Sequence, residues 1–159
     1  MKTPRIALLV GIAVCAATAA RPEASQASNS DLASLQGEWT MVSGVADGYA
    51  VPDAMLRDSK RTCEGNVTTV IVGGQLIMKA RFTLDPSKTP KTVDYQVIDG
   101  PTKGKQHLGI YELDGDTVKY CFGEPGGARP TEFGSQPGDR RTSSVWKRAK
   151  PAPTESEKK

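Results

Sequence analysis

Histidine is almost absent from this sequence: His107 is the only one among 159 residues. A hydrolytic triad or a zinc centre needs more partners than one imidazole, so neither chemistry has a visible framework here. Charge bias is also missing, with 21 basic and 18 acidic residues. Setting aside residues 1–20, which contain Lys2 and Arg5 and no acid, leaves 19 bases against 18 acids. A surface so nearly neutral argues against a nucleic-acid partner, which would want a clustered basic face. Long apolar runs are lacking as well. The stretch Ile6–Val14 is too short to span a bilayer, which takes about 20 residues. Extended helical periodicity is scarce, whereas glycine (16) and proline (11) are plentiful, and that balance points to a turn-rich, all-β domain.

What is present begins with a leader. Lys2 and Arg5 precede the apolar Ile6–Val14, and Ala17-Thr18-Ala19 offers small residues for cleavage near Ala19 or Ala20. Residues 1–20 therefore read as a secretory signal, and the chain as exported, periplasmic or extracellular. A lipoprotein signal ending at Cys15 is the minor alternative, weakened by Val14 where a small residue belongs. No stable membrane span is expected in the mature chain. Residues 21–31 are small and polar and read as a linker. Residues 149–159 have mixed charge and two prolines and read as a solvated, disordered tail. Residues 32–148 form the domain, long enough for a thin core.

Within it, period-two alternation recurs. Leu35–Ser43 is a strand with Trp39 and Met41 on one face. The stretch 52–59 opens on Pro52 and Asp53 and suggests a short helix. Lys60–Cys63 and Val67–Val72 flank a Gly65 turn. After Gly73-Gly74, residues 75–84 place Leu76, Met78, Ala80, Phe82 and Leu84 together. Lys91–Ile98 aligns Val93, Tyr95 and Val97. Lys105–Leu113 and Thr117–Phe122 flank the Asp114-Gly115-Asp116 turn, with Val118, Tyr120 and Phe122 on one face. Phe133 and Thr142–Lys147 supply the last strand. Eight sequential strands with short links make a meander, and a meander of eight can close on itself and remove its exposed edges. An open sandwich is the alternative.

The segments "LQGEWTMVSGVADGYAVPDAML", "RFTLDPSKTPKTVDY", "DGPTKGKQHLGIYELDGDTVKYCF" and "GGARPTEF" together resemble a conserved domain family of unknown function, abundant in planctomycetes and often described as lipocalin-like. The resemblance covers about residues 32–148. It implies a lipocalin-like up-and-down antiparallel barrel with one short helix after the first strand, and it brings no activity. Gly37-Glu38-Trp39 stands where lipocalins carry Gly-x-Trp at the head of the first strand. There the Trp plugs the closed end against an Arg near the last strand. Arg148 is the candidate partner by position, with Arg140 and Arg141 as rivals.

Candidate sites follow from that frame. Met41, Met78, Phe82, Tyr95, Ile110, Val118, Tyr120, Phe122 and Trp146 fall on apolar strand faces. They would line a cavity for a small apolar ligand, or pack solid as an ordinary core. The Gly/Pro-rich loop after Phe122 carries Arg129 and Glu132, which would contact a polar ligand or partner, or pair with each other to fix the loop's path. His107 reads as a rim residue. Glu112, Asp114 and Asp116 read as turn-stabilising acids rather than a glycosidic pair or a calcium loop. Cys63 and Cys121, exported, could bridge, but a meander separates their strands, so free buried thiols are expected. No cofactor, metal or catalytic residue is assigned, and enzymatic activity is not expected. The function expected is binding of a small apolar ligand or a cell-envelope component; the alternative is a solid-core interaction module that acts through its loops. Oligomeric state is left open.

Overall fold

The computed structural model describes residues 22–150. The expected leader, residues 1–20, and the tail from residue 151 onward lie outside the described residues. The elements run α1 (Pro22–Leu35), β1 (Gly37–Ala46), β2 (Tyr49–Ala50), α2 (Asp53–Arg57), β3 (Lys60–Glu64), β4 (Val67–Val72), β5 (Gln75–Asp85), β6 (Lys91–Asp99), β7 (Gln106–Asp114), β8 (Thr117–Phe122) and β9 (Thr142–Arg148). Successive strands from β3 to β9 pair antiparallel, β3 pairs with β1, and β9 returns to β1. The result is a closed eight-stranded up-and-down barrel, with β2 as a two-residue arm on the end of β1. Closure pairs both long edges, so the barrel wall has no free strand.

The turns explain the short connections. Gly73 and Gly74 both take positive φ, 57° and 76°, the pair of left-handed residues that a two-residue hairpin needs. A side chain at either would strain that turn. The loop 123–141 is the exception to brevity. It contains no strand, so Phe133 belongs to irregular backbone and the last strand is 142–148 alone.

The inner wall follows the alternation of each strand. Trp39, Met41, Arg61, Cys63, Thr68, Val70, Met78, Ala80, Phe82, Val93, Tyr95, Val97, Tyr111, Val118, Tyr120, Phe122 and Trp146 are all buried. Leu76 departs from the expected face and stays exposed. A bulge at Ile77, between the Val70–Met78 and Ile71–Leu76 pairs, puts it out of phase.

The expected linker 21–31 is corrected: helix α1 occupies most of it. Composition pointed to a solvated segment because most of the helix is small and polar. The helix is held instead by a few tertiary contacts at its C-terminal end. Leu35 is buried in the core, Leu32 packs on it, and the Asp31 carboxylate accepts hydrogen bonds from Lys91 Nζ and Tyr111 Oη, both at 2.7 Å. Ser28 Oγ donates to the Leu84 carbonyl at 3.3 Å.

Candidate functional site: a filled barrel and an outer groove

One end of the barrel is sealed by Trp39. Its indole Nε1 donates to the Leu35 carbonyl at 2.9 Å, joining the first strand to α1. The guanidinium that covers it is Arg148, 4.3 Å from the ring centroid. Arg148 Nη1 and Nη2 donate to the Gln36 and Ser34 carbonyls at 2.9 and 2.7 Å, and Nε donates to Asp116 at 2.7 Å. One planar cation therefore stacks on the plug, caps the end of α1 and reaches the β7–β8 turn. The rivals lie elsewhere: Arg140 pairs with Glu124 at 3.0 Å, and Arg141 lies near Glu132 and Asp139 at 3.7 and 3.8 Å. Below the plug, the Tyr111 hydroxyl donates to Asp31. Burial and that acidic neighbour raise its pKa, so the phenol keeps its proton.

Inside, Met41, Met78, Phe82, Tyr95, Tyr120, Phe122 and Trp146 do converge, and they converge on one another. Tyr95 lies 4.6 Å from Phe122 and 6.0 Å from Phe82 between ring centroids, and Tyr120 lies 5.8 Å from Phe122. Room for Phe122 comes from Gly109 opposite it, where a Cβ would stand 2.4 Å from the ring. Ile110 is not among the interior residues, which corrects the expectation for it. Inward positions on β7 are Gly109 and Tyr111, so Ile110 points outward and is buried by the loop 123–141 beside Cys121. Arg61 was missed by sequence reasoning and sits in the middle of the aromatic group, only 2% exposed. Its signal was its phase, two residues from the inward-facing Cys63 on the same strand.

The wall also carries concavities on its outer side. A groove of about 540 Å³ runs over the outer face of β5, β6 and β7, between the turn after β5 and the loop near Pro130. Thr83, Thr92 and Asp94 lie on its wall strands, Ile110 lies beneath, and Lys88 and Thr131 edge it. Arg129 also borders the groove but is spent on the wall. Its Nη1 donates to the Gly109 and Val93 carbonyls at 2.7 and 3.2 Å, and its Nη2 to Asp94 at 2.6 Å. It clamps the loop against the barrel. Glu132 does not pair with it: its side chain is 78% exposed and faces Arg141 at 3.7 Å.

Two of the three hairpin acids are also committed. Glu112 pairs with Lys119 at 2.8 Å, and Asp116 holds Arg148. His107 is half-buried at the rim and shares a 3.1 Å hydrogen bond with Thr102 Oγ1; burial, then Lys105, lowers its pKa. Cys63 faces inward, with its Sγ 3.5 Å from Thr68 Oγ1. Cys121 faces outward and donates to the Gly134 carbonyl at 3.3 Å. The two thiols are free, on opposite sides of the wall, and burial raises the pKa of Cys121. Both are expected to resist a thiol reagent in the folded chain and to react together once it is unfolded, which mass spectrometry of the modified protein would count. A native protein lacking two protons relative to the dithiol would contradict this.

Among the described residues, no helix is long and apolar enough to cross a membrane, and no group of three or more His, Cys, Asp or Glu side chains could hold a metal. Comparison with protein-family models, with curated proteins and with solved structures finds no match for this chain.

Proposed function

We propose that this chain is an exported, non-enzymatic recognition module whose filled barrel is a scaffold and whose outer groove takes a polar component of the cell envelope. The observation that carries the reading is the contrast between the two sides of one wall. The inward face of β5, β6 and β8 is packed with Phe82, Tyr95, Tyr120 and Phe122, while the outward face of β5–β7 bears a groove of about 540 Å³. That volume is in the range of ordinary ligand sites, roughly 300–1,000 Å³. Its lining sets hydroxyls (Thr83, Thr89, Thr92, Thr131) and charges (Asp85, Lys88 and the paired Asp94 and Arg129) around an apolar surface of Leu84, Pro90 and Pro130. Such a mixed surface matches a ligand that joins hydrogen-bonding groups to apolar faces, as a sugar ring does, better than a lipid tail.

Titration of the labelled protein with soluble envelope fragments from its host, followed by backbone amide NMR shifts, tests this. The expected result is a saturable set of shifts at Thr83, Thr92, Asp94 and Thr131. A Thr92→Trp variant, which fills the groove, should weaken binding at least tenfold while leaving the spectrum of the opposite wall around Thr40 and Lys147 unchanged. Shifts centred instead on Tyr95 and Tyr120, produced by an apolar ligand, would overturn the groove reading and restore the interior as the binding site.

A further inference from the structure

Arg61 is a cation in the centre of a barrel, and among the described residues no carboxylate pairs with it. It projects from β3, where it pairs with Trp39 on one side and Val70 on the other. Its guanidinium carbon lies 4.3 Å from the Tyr120 ring centroid, 4.8 Å from the Trp146 ring and 5.9 Å from the Tyr95 ring. Aromatic faces attract a cation, but they do not accept the in-plane N–H bonds along its edge. Two hydrogen bonds serve that edge, both from Nη1: to Tyr95 Oη at 2.6 Å and to Thr68 Oγ1 at 3.4 Å. Nε is buried and has no partner.

The surroundings are rich in donors and poor in acceptors. Thr68 Oγ1 spends its proton on the Thr62 carbonyl at 3.1 Å. Cys63 Sγ donates to Thr68 at 3.5 Å, and Trp146 Nε1 donates to Ser144 at 2.9 Å. The Tyr95 hydroxyl accepts from Arg61 and keeps its own proton to donate. Burial raises the pKa of that phenol, which holds the proton in place. The ion pairs of the described residues involve other bases. An arginine cannot escape by losing its proton, and a buried charge without a counter-charge is costly. A free N–H, a spare O–H and a full positive charge inside a closed wall together define an acceptor of negative charge.

We propose that the barrel centre is a binding site for one small monovalent anion, a halide or the carboxylate of a formate-sized acid, held by Arg61 Nε with the neighbouring Tyr95 hydroxyl. The size limit follows from the packed rings around it, and the site is independent of the outer groove. Nε–H donates to the anion in the plane of the guanidinium, and the Tyr95 hydroxyl proton supplies a second donor. The anion closes the charge balance that the protein's own side chains leave open.

Two measurements on the full-length chain test this. In the first, thermal unfolding is followed at fixed ionic strength while chloride, bromide or formate replaces sulfate. The expected result is a saturable rise in Tm with the monovalent anions. That rise should be absent in Arg61→Met, and in Tyr95→Phe it should require about tenfold more anion. A response to halides and formate alike identifies free inorganic or organic monoanions, and a response to formate alone identifies a carboxylate. In the second, a crystal grown in bromide is examined for anomalous scattering within hydrogen-bond distance of Arg61 Nε, which needs no variant to fold. A Tm independent of anion identity, or a water in place of bromide at Nε, would overturn the proposal.

Discussion

Replacing Trp39 by alanine is expected to remove about 3–5 kcal/mol of stability, the range found for large aromatic truncations in cores. Trp39 is completely buried, so the loss includes both its transfer from water and the cavity left behind. Three other connections fail with it. The Leu35 carbonyl loses its donor at 2.9 Å, Arg148 loses the face on which it stacks at 4.3 Å, and the end of α1 loses the wall it leans on. Against a typical total of about 5–15 kcal/mol, such a loss leaves little reserve. In a domain of this size it corresponds to a fall in Tm of roughly 10–20 °C. Arg148→Ala should cost less, about 1–2 kcal/mol, because the carbonyls of Ser34 and Gln36 can turn to water when the cation is gone. Arg148→Lys should behave like the alanine variant, since an ammonium cannot stack and reach three acceptors at once. Urea unfolding of the three variants orders them. Equal losses in Trp39→Ala and Arg148→Ala would show that the indole acts only as a platform for the cation.

The second large effect comes from adding one methyl group. Gly109→Ala would place its Cβ 2.4 Å from Cδ1 and Cε1 of Phe122 and 2.9 Å from the Cys121 carbonyl oxygen. The ring cannot retreat easily, because Tyr95 stands 4.6 Å from it and Tyr120 5.8 Å, centroid to centroid. Overpacking of this kind costs about 1–3 kcal/mol, and the absence of slack puts the expectation at the upper end. The double variant Gly109→Ala/Phe122→Leu separates ring from backbone. If the ring is the obstacle, the pair should lose at least about 1 kcal/mol less than the sum of the single losses. The rescue should be partial, because the Cys121 carbonyl remains. Additive losses would instead assign the cost to the backbone of β7 and β8.

The strands were legible where one face is buried and the other wet. Val93, Tyr95 and Val97, then Val118, Tyr120 and Phe122, alternate without interruption, and their strands lie where the alternation places them. Leu76 was misplaced because a bulge shifts phase without leaving a mark in composition. Ile110 was misplaced for a different reason: an apolar residue on a strand announces burial but not which side buries it, and here the cover is a loop. Helix α1 was hidden because its anchors, Asp31 to Lys91 and Tyr111, span 60 and 80 residues. Arg61 was overlooked since charge in a strand normally signals the wet face. The groove was the least visible feature, as its two sides come from separate connections that meet only once the wall has curved.

Barrel closure joins the two ends of the domain. Thr40 Oγ1 donates to the Lys147 carbonyl across 107 residues of sequence, at 3.4 Å. Every other adjacent pair in the wall could form while the chain is still being delivered from its N-terminal side; β1 with β9 cannot, since residues 142–148 are the last of the wall to arrive. Until they arrive, β1 and β8 each display an unpaired edge, the kind that recruits strands from other chains. Pairings of such long range also form slowly. The final seven-residue strand therefore serves as proof of completion, and a chain stalled or clipped before Thr142 is marked for aggregation or degradation.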